Sequence, residues 1–183
     1  MAHSETREQL IALANNNSGN PMGFLEGLSD IHDDWHGPNV RVYGFLLFHH
    51  RVVRYFNAIV SPQVNPPVAS FTAAEFQAMG VQPFGGNLAN VDTLGEAANA
   101  SSAIESWHGP AHMQIGNATQ TPMMDPRQNI FFRPFWQLHL YIDNLFRGML
   151  QQYGNRAHAG QFLTVAAIAA HIEERHHGWV PRI

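Results

Sequence analysis

The chain has 183 residues, 45% of them hydrophobic and 13% charged, a balance that predicts one compact domain over residues 1–183 with a sizeable apolar core. A net charge of -4 gives no reason to expect nucleic acid or an anionic membrane as a partner, and no apolar run approaches membrane-spanning length. Cysteine is absent, which excludes a disulfide framework and thiolate metal ligands; lysine is absent too, so all 10 basic residues are arginine.

The N-terminal stretch MAHSETREQL has no hydrophobic core of a signal peptide, so the expectation is a cytoplasmic chain, or one secreted after processing. Residues 4–15 read as a short helix, capped by Ser4 and striped by Leu10, Ile11 and Leu13. NNNSGNP breaks it, and residues 22–36 read as a second helix stopped at Gly37-Pro38. That second helix ends in DIHDDWHG, where His32 and His36 stand four residues apart and therefore on one face. Residues 42–60, with GFLLFHHRVVRYFNAIV, predict a third helix apolar on most sides, and a buried His49 in it needs a polar partner. His50 points about 100° away on the helical wheel, toward the surface or a supporting position.

Residues 61–103 change character. SPQVNPPVAS is a proline-rich connection, and FTAAEFQAMG predicts a turn or two of helix between Thr72 as cap and Gly80 as stop. The rest of that stretch, 81–102, reads as loop, and so long an irregular segment is expected to cover a functional site. Residues 103–115 then carry His108 and His112, again four apart. Pro110 argues that their helix begins near Trp107 or His108, which puts the proline in the first turn. After another loop, residues 134–152 predict an apolar helix holding His139, and residues 161–177 a last helix with His171, His176 and His177 on its polar half. The fold expected is all-α: a four-helix bundle core with additional short helices and long loops.

One arrangement thus occurs twice, a His pair at i and i+4 followed by a single His on the next helix. With 12 histidines in the chain, chance yields about one such pair by simple counting. The repeat carries the argument beyond chance. Three neutral imidazoles and no cysteine make a nitrogen-only site, which suits copper or zinc, and two such trios point to two metals side by side. Di-iron carboxylate chemistry wants paired Glu-x-x-His motifs with several inward glutamates, which the chain lacks.

The surroundings of these histidines resemble a known family. His32 and His36 with Trp35 between them are similar to the first-copper helix of arthropod hemocyanins and phenoloxidases. Phe45-Leu46-Leu47-Phe48-His49, followed by Phe56 and Asn57, resembles the tyrosinase pattern FLPWH, in a register that favours His49 over His50. Ile104-Glu105-Ser106-Trp107-His108 with His112 resembles LExxHNxxH, and Phe135-Trp136-Gln137-Leu138-His139 with Ile142-Asp143 resembles FWxxHxxID. The likeness covers roughly residues 30 to 150, and its family is the type-3 binuclear copper proteins: tyrosinases, catechol oxidases and hemocyanins. It implies two copper ions held by His32, His36, His49, His108, His112 and His139, with dioxygen and a small phenolic or aminophenolic molecule as partners. The activity implied is oxidation of o-diphenols or o-aminophenols, and of some monophenols, to quinone-type products. The alternative is a hemocyanin-type oxygen carrier without turnover.

Three further residues are candidates on the substrate side or in support of ligands. Glu105 lies one turn before His108, and Asp143 one turn after His139, each in reach of a ligand histidine or its neighbour. Gly109 stands where many tyrosinases carry an Asn that helps to deprotonate a monophenol, so the expectation is weak monophenol hydroxylation. A chain without lysine or cysteine also offers few nucleophiles to a quinone product.

Overall fold

A computed structural model describes residues 2–37 and 44–154. Six α-helices and two short 3-10 turns are joined by irregular connections, with no strand among the described residues. The helices are α1 (Ala2–Asn16), α2 (Pro21–His36), α3 (Phe45–Ile59), α4 (Ala73–Ala78), α5 (Leu94–Thr119) and α6 (Arg133–Gly154). The architecture is all-α, as expected. The predicted helix over 161–177, with His171, His176 and His177, lies outside the described residues. No described helix is long and apolar enough to cross a membrane.

Local chemistry explains most of the boundaries. Asn20 caps α2 by accepting from the Gly23 N–H at 3.1 Å, and Pro21 opens the helix, where its missing N–H costs nothing. Thr72 and Glu75 form a reciprocal capping box at α4, and Gly80 takes a φ of +72° just beyond the helix end. The start of α5 differs from the expectation of a loop to 102 and a helix opening near Trp107. Thr93 and Glu96 form a second capping box, and the helix runs from Leu94 with Pro110 in its interior. Pro110 removes one hydrogen bond, and 26 residues of otherwise continuous helix absorb that loss.

Helix α3 is the central element and packs on both α5 and α6; α1 packs mainly on α2. Its buried face carries Leu46, Leu47, Phe48, Val52, Val53 and Phe56, all at most 2% exposed. Two flat aromatic stacks pin it: Phe56 on Trp136 at 3.8 Å between centroids, and Trp35 on Phe48 at 4.5 Å with the rings 3° from parallel. Burying a side chain the size of Phe48 contributes about 1.5–3 kcal/mol. These stacks also fix the rotation of α2, α3 and α6, and so decide which of their histidines face inward.

Candidate metal centre

Six histidines from four helices meet inside this packing. His32 and His36 come from the end of α2, His49 from α3, His108 and His112 from α5, and His139 from α6. Five of the six are buried, between 0% and 5% exposed, and only His36 is partly exposed. His49 stands in the middle. Its ring centroid lies 4.7 Å from that of His139, 5.6 Å from His108, 5.9 Å from His32 and 6.1 Å from His36. Phe45, Phe48 and Phe135 wall the cluster, with Phe135 3.9 Å from the His139 ring.

The hydrogen bonds fix which ring nitrogen faces inward. His32 donates Nδ1–H to the Pro126 carbonyl at 2.8 Å, and His49 donates to the Phe45 carbonyl at 2.8 Å. His112 donates to the Met123 carbonyl at 2.6 Å, and His139 to the Phe135 carbonyl at 2.7 Å. A carbonyl only accepts, so the proton of each neutral ring sits on Nδ1, and Nε2 presents a lone pair to the interior. That is the tautomer a metal ligand needs.

The inward nitrogens crowd each other. His32 and His36 approach Nε2 to Nε2 at 3.1 Å, as do His108 and His139. With the Nε2 atoms of His32 and His139 committed as acceptors, His36 and His108 must donate. The Nε2 atoms of His49 and His112 are buried with no hydrogen-bond partner. Two unsatisfied buried acceptors carry a desolvation penalty, about 1–3 kcal/mol each, that a metal ion would remove. Two groups close within 4.8 Å, His32–His36–His49 and His49–His108–His139. The first is the trio expected from sequence. The second takes His49 in place of His112, whose ring rests against His108 at 4.1 Å.

Charge points the same way. Burial, reinforced by the neighbouring imidazoles, pushes His32, His49, His108 and His139 well below their ordinary pKa. Burial likewise lowers His112 to about 4. All five are therefore neutral near pH 7. Buried imidazoles, four of them with an inward Nε2 lone pair, and no carboxylate in either group could hold a borderline-soft metal ion, and the unpartnered Nε2 atoms fit one.

The segment between α5 and α6 covers this centre, and it is not the segment expected. Gln120 ends α5 in the left-handed region at φ 55°, turning the chain back over α2 and α5. Pro126 and Met123 supply the carbonyls that hold His32 and His112; Arg127 accepts from the Ser29 hydroxyl. Arg127 also reaches Asp33 at 2.7 Å, and Asn129 donates to the Met123 carbonyl at 3.1 Å. Gly116 permits the approach: a Cβ there would lie 3.1 Å from both the Thr121 carbonyl oxygen and the Met123 Cβ. The 61–93 connection instead packs on α5 and α6, through the Gln82 carbonyl on Trp107 and the Phe71 N–H on the Gln137 carbonyl, and no residue of it lines the cleft over the centre.

That cleft, of about 200 Å3, is bordered by His36, His108 and His112, by Glu105 and Gly109, and by the covering segment from Met123 to Asn129. Glu105 and Gly109 thus lie beside the imidazoles, and open space surrounds Gly109 where a Cβ would be. Asp143 does not border the cleft. It is buried on the other side of α3, where its Oδ1 accepts from His50 Nδ1 at 2.6 Å and its Oδ2 meets Arg147 at 3.0 Å. Its partner is the neighbour His50, not one of the six. His50 itself is only 9% exposed, so its place is a supporting one in the interior, not the surface. The carbonyl partners of the imidazoles were not visible in the sequence, since any residue type supplies a carbonyl.

The site defines a helical protein with a buried, carboxylate-free histidine cluster. Comparison with family models, with curated proteins and with solved structures finds no match.

Proposed function

We propose that this protein is a binuclear copper oxidase that uses dioxygen to oxidise o-diphenols or o-aminophenols to quinone-type products. In this reading α2, α3, α5 and α6 form a four-helix bundle core, and His32, His36, His49, His108, His112 and His139 hold two copper ions. One observation carries it: inward Nε2 atoms crowd to 3.1 Å, four of the rings are oriented by Nδ1–H donation to backbone carbonyls, and two buried Nε2 lone pairs have no partner. Copper suits an all-imidazole donor set in both oxidation states, and when bound it would supply dioxygen binding and electron transfer.

The protein's own residues do the rest. The carbonyls of Phe45, Met123, Pro126 and Phe135 hold the rings in one orientation, so that binding requires little rearrangement. Phe45, Phe48 and Phe135 keep water from the inner side. The cleft admits a molecule of single-ring size beside His36, His108 and His112, and Glu105 there can take a proton from an incoming phenol. An open cleft that reaches the imidazoles favours turnover over a hemocyanin-type carrier.

Oxygen uptake by the copper-reconstituted protein tests the reading. Catechol or o-aminophenol should drive uptake catalytically, many turnovers per chain. Reversible oxygenation without turnover on any small phenol would favour the carrier.

A further inference from the structure

The cleft over the imidazoles has sulfur in its wall. Met124 stands on its rim, 63% exposed, and Met123 lies beneath it, 1% exposed. With no cysteine in the chain, methionine is its only sulfur donor. Thioethers are soft ligands that favour Cu(I). We propose that Met124, backed by Met123, is the entry site at which Cu(I) is captured and passed to the histidine cluster. The proposal rests on the copper reading above and adds a route to it.

The receiving side is in the same cleft. His36 is the only one of the six imidazoles with partial exposure, and the His112 Nε2 is buried, unpartnered and unprotonated in the neutral ring. Glu105 adds an acidic side chain beside the path. The step is ligand exchange: the bond from the Met124 sulfur to Cu(I) breaks as a bond to the His112 Nε2 forms. Copper stays Cu(I) throughout, no electron moves, and the His112 nitrogen has no proton to lose. A single thioether binds weakly, so the ion is released inward to the stronger nitrogen donors. That separates an entry site from a final site.

Met124→Leu tests this with little risk to folding, because the side chain is mostly exposed and leucine keeps its bulk. Metal-free protein is mixed anaerobically with the Cu(I)–bicinchoninate complex, and the fading of the donor colour gives the transfer rate. The expected result is about a tenfold slower transfer, the effect of losing one weak contact worth about 1.4 kcal/mol. The final copper content and the rate of Cu(II) uptake should match the parent. Substoichiometric Ag(I), a soft monovalent ion that does not change oxidation state here, should shift the Met124 methyl resonance of methyl-labelled protein. Equal Cu(I) transfer rates in Met124→Leu and parent overturn the proposal while leaving the copper reading intact. A protein that takes up no copper overturns both.

Discussion

His49 and His50 are neighbours on α3, both buried, yet they occupy opposite chemical settings. His49 looks onto four other imidazoles, with its Nε2 unpartnered and no carboxylate in its group. His50 looks the other way, onto Asp143 at 2.6 Å and the Phe146 ring, with Arg147 behind the carboxylate. One step along a helix turns the side chain by about 100°, and here that turn separates a metal-type donor from a structural hydrogen bond. A histidine's role follows from what faces it: a carboxylate satisfies the ring, and a ring of imidazoles leaves it in want of a cation.

The sharpest way to break the contrast is to remove each member. His49→Ala should cost at least one of two coppers per chain and abolish catalytic oxygen uptake, since His49 belongs to both close groups. His50→Ala should keep both coppers but lower the unfolding free energy by about 2 kcal/mol, the typical worth of a hydrogen bond to a charged group. Copper analysis and denaturant titration of the two variants check this. Loss of copper from His50→Ala alone would place the site one residue along the helix.

Gly109→Asn probes the open side of the cluster. The glycine backbone has space for a Cβ, so the substitution should fold. The family likeness expects it to raise the monophenol rate relative to the diphenol rate, by up to about 10²-fold if the new side chain orients a base. Equal parent rates on a matched monophenol and diphenol would remove the basis for this expectation.

Acid should unfold the metal-free protein through the His49 side of the comparison. His112 titrates near 4 when folded against about 6.5 when unfolded, and its buried neighbours are also shifted well downward. Between these values the unfolded chain binds protons that the folded chain does not, so stability falls as pH falls. The slope is about 1.4 kcal/mol per pH unit for each such histidine. Denaturant midpoints at pH 7, 6 and 5 should therefore decline steeply in the parent and less steeply in His112→Gln. A flat profile would contradict the buried neutral cluster. The smallest effect belongs to Arg127→Ala: its exposed pair with Asp33 should contribute under about 1 kcal/mol, read as a slight shift in Tm.

The sequence announces the histidines through spacing alone, because i and i+4 on a helix share a face and side chains carry that signal. Most helices were legible for the same reason, and the Thr72–Gly80 segment from its cap and stop residues. Three features were not. The Thr93–Glu96 capping box that opens α5 lies in a Gly-, Asn- and Ala-rich stretch that reads as loop, and Pro110 argues for a later start that a long helix overrides. The covering segment was misplaced to 61–103 because length suggested a lid. The actual cover, 120–129, is shorter and works through backbone carbonyls at Met123 and Pro126, which no residue identity betrays. The second trio, too, was expected to be His108, His112 and His139. The central position of His49 between the pairs is a matter of packing, set by the Trp35–Phe48 and Phe56–Trp136 stacks.

The most direct test of the account is the metal content of the folded protein, measured by elemental analysis after reconstitution with copper and removal of loosely bound ion. Six converging imidazoles, five of them held neutral by burial, predict two coppers per chain, and fewer in each of the six His→Ala variants. One zinc per chain with no retained copper, or no bound metal at all, would contradict it.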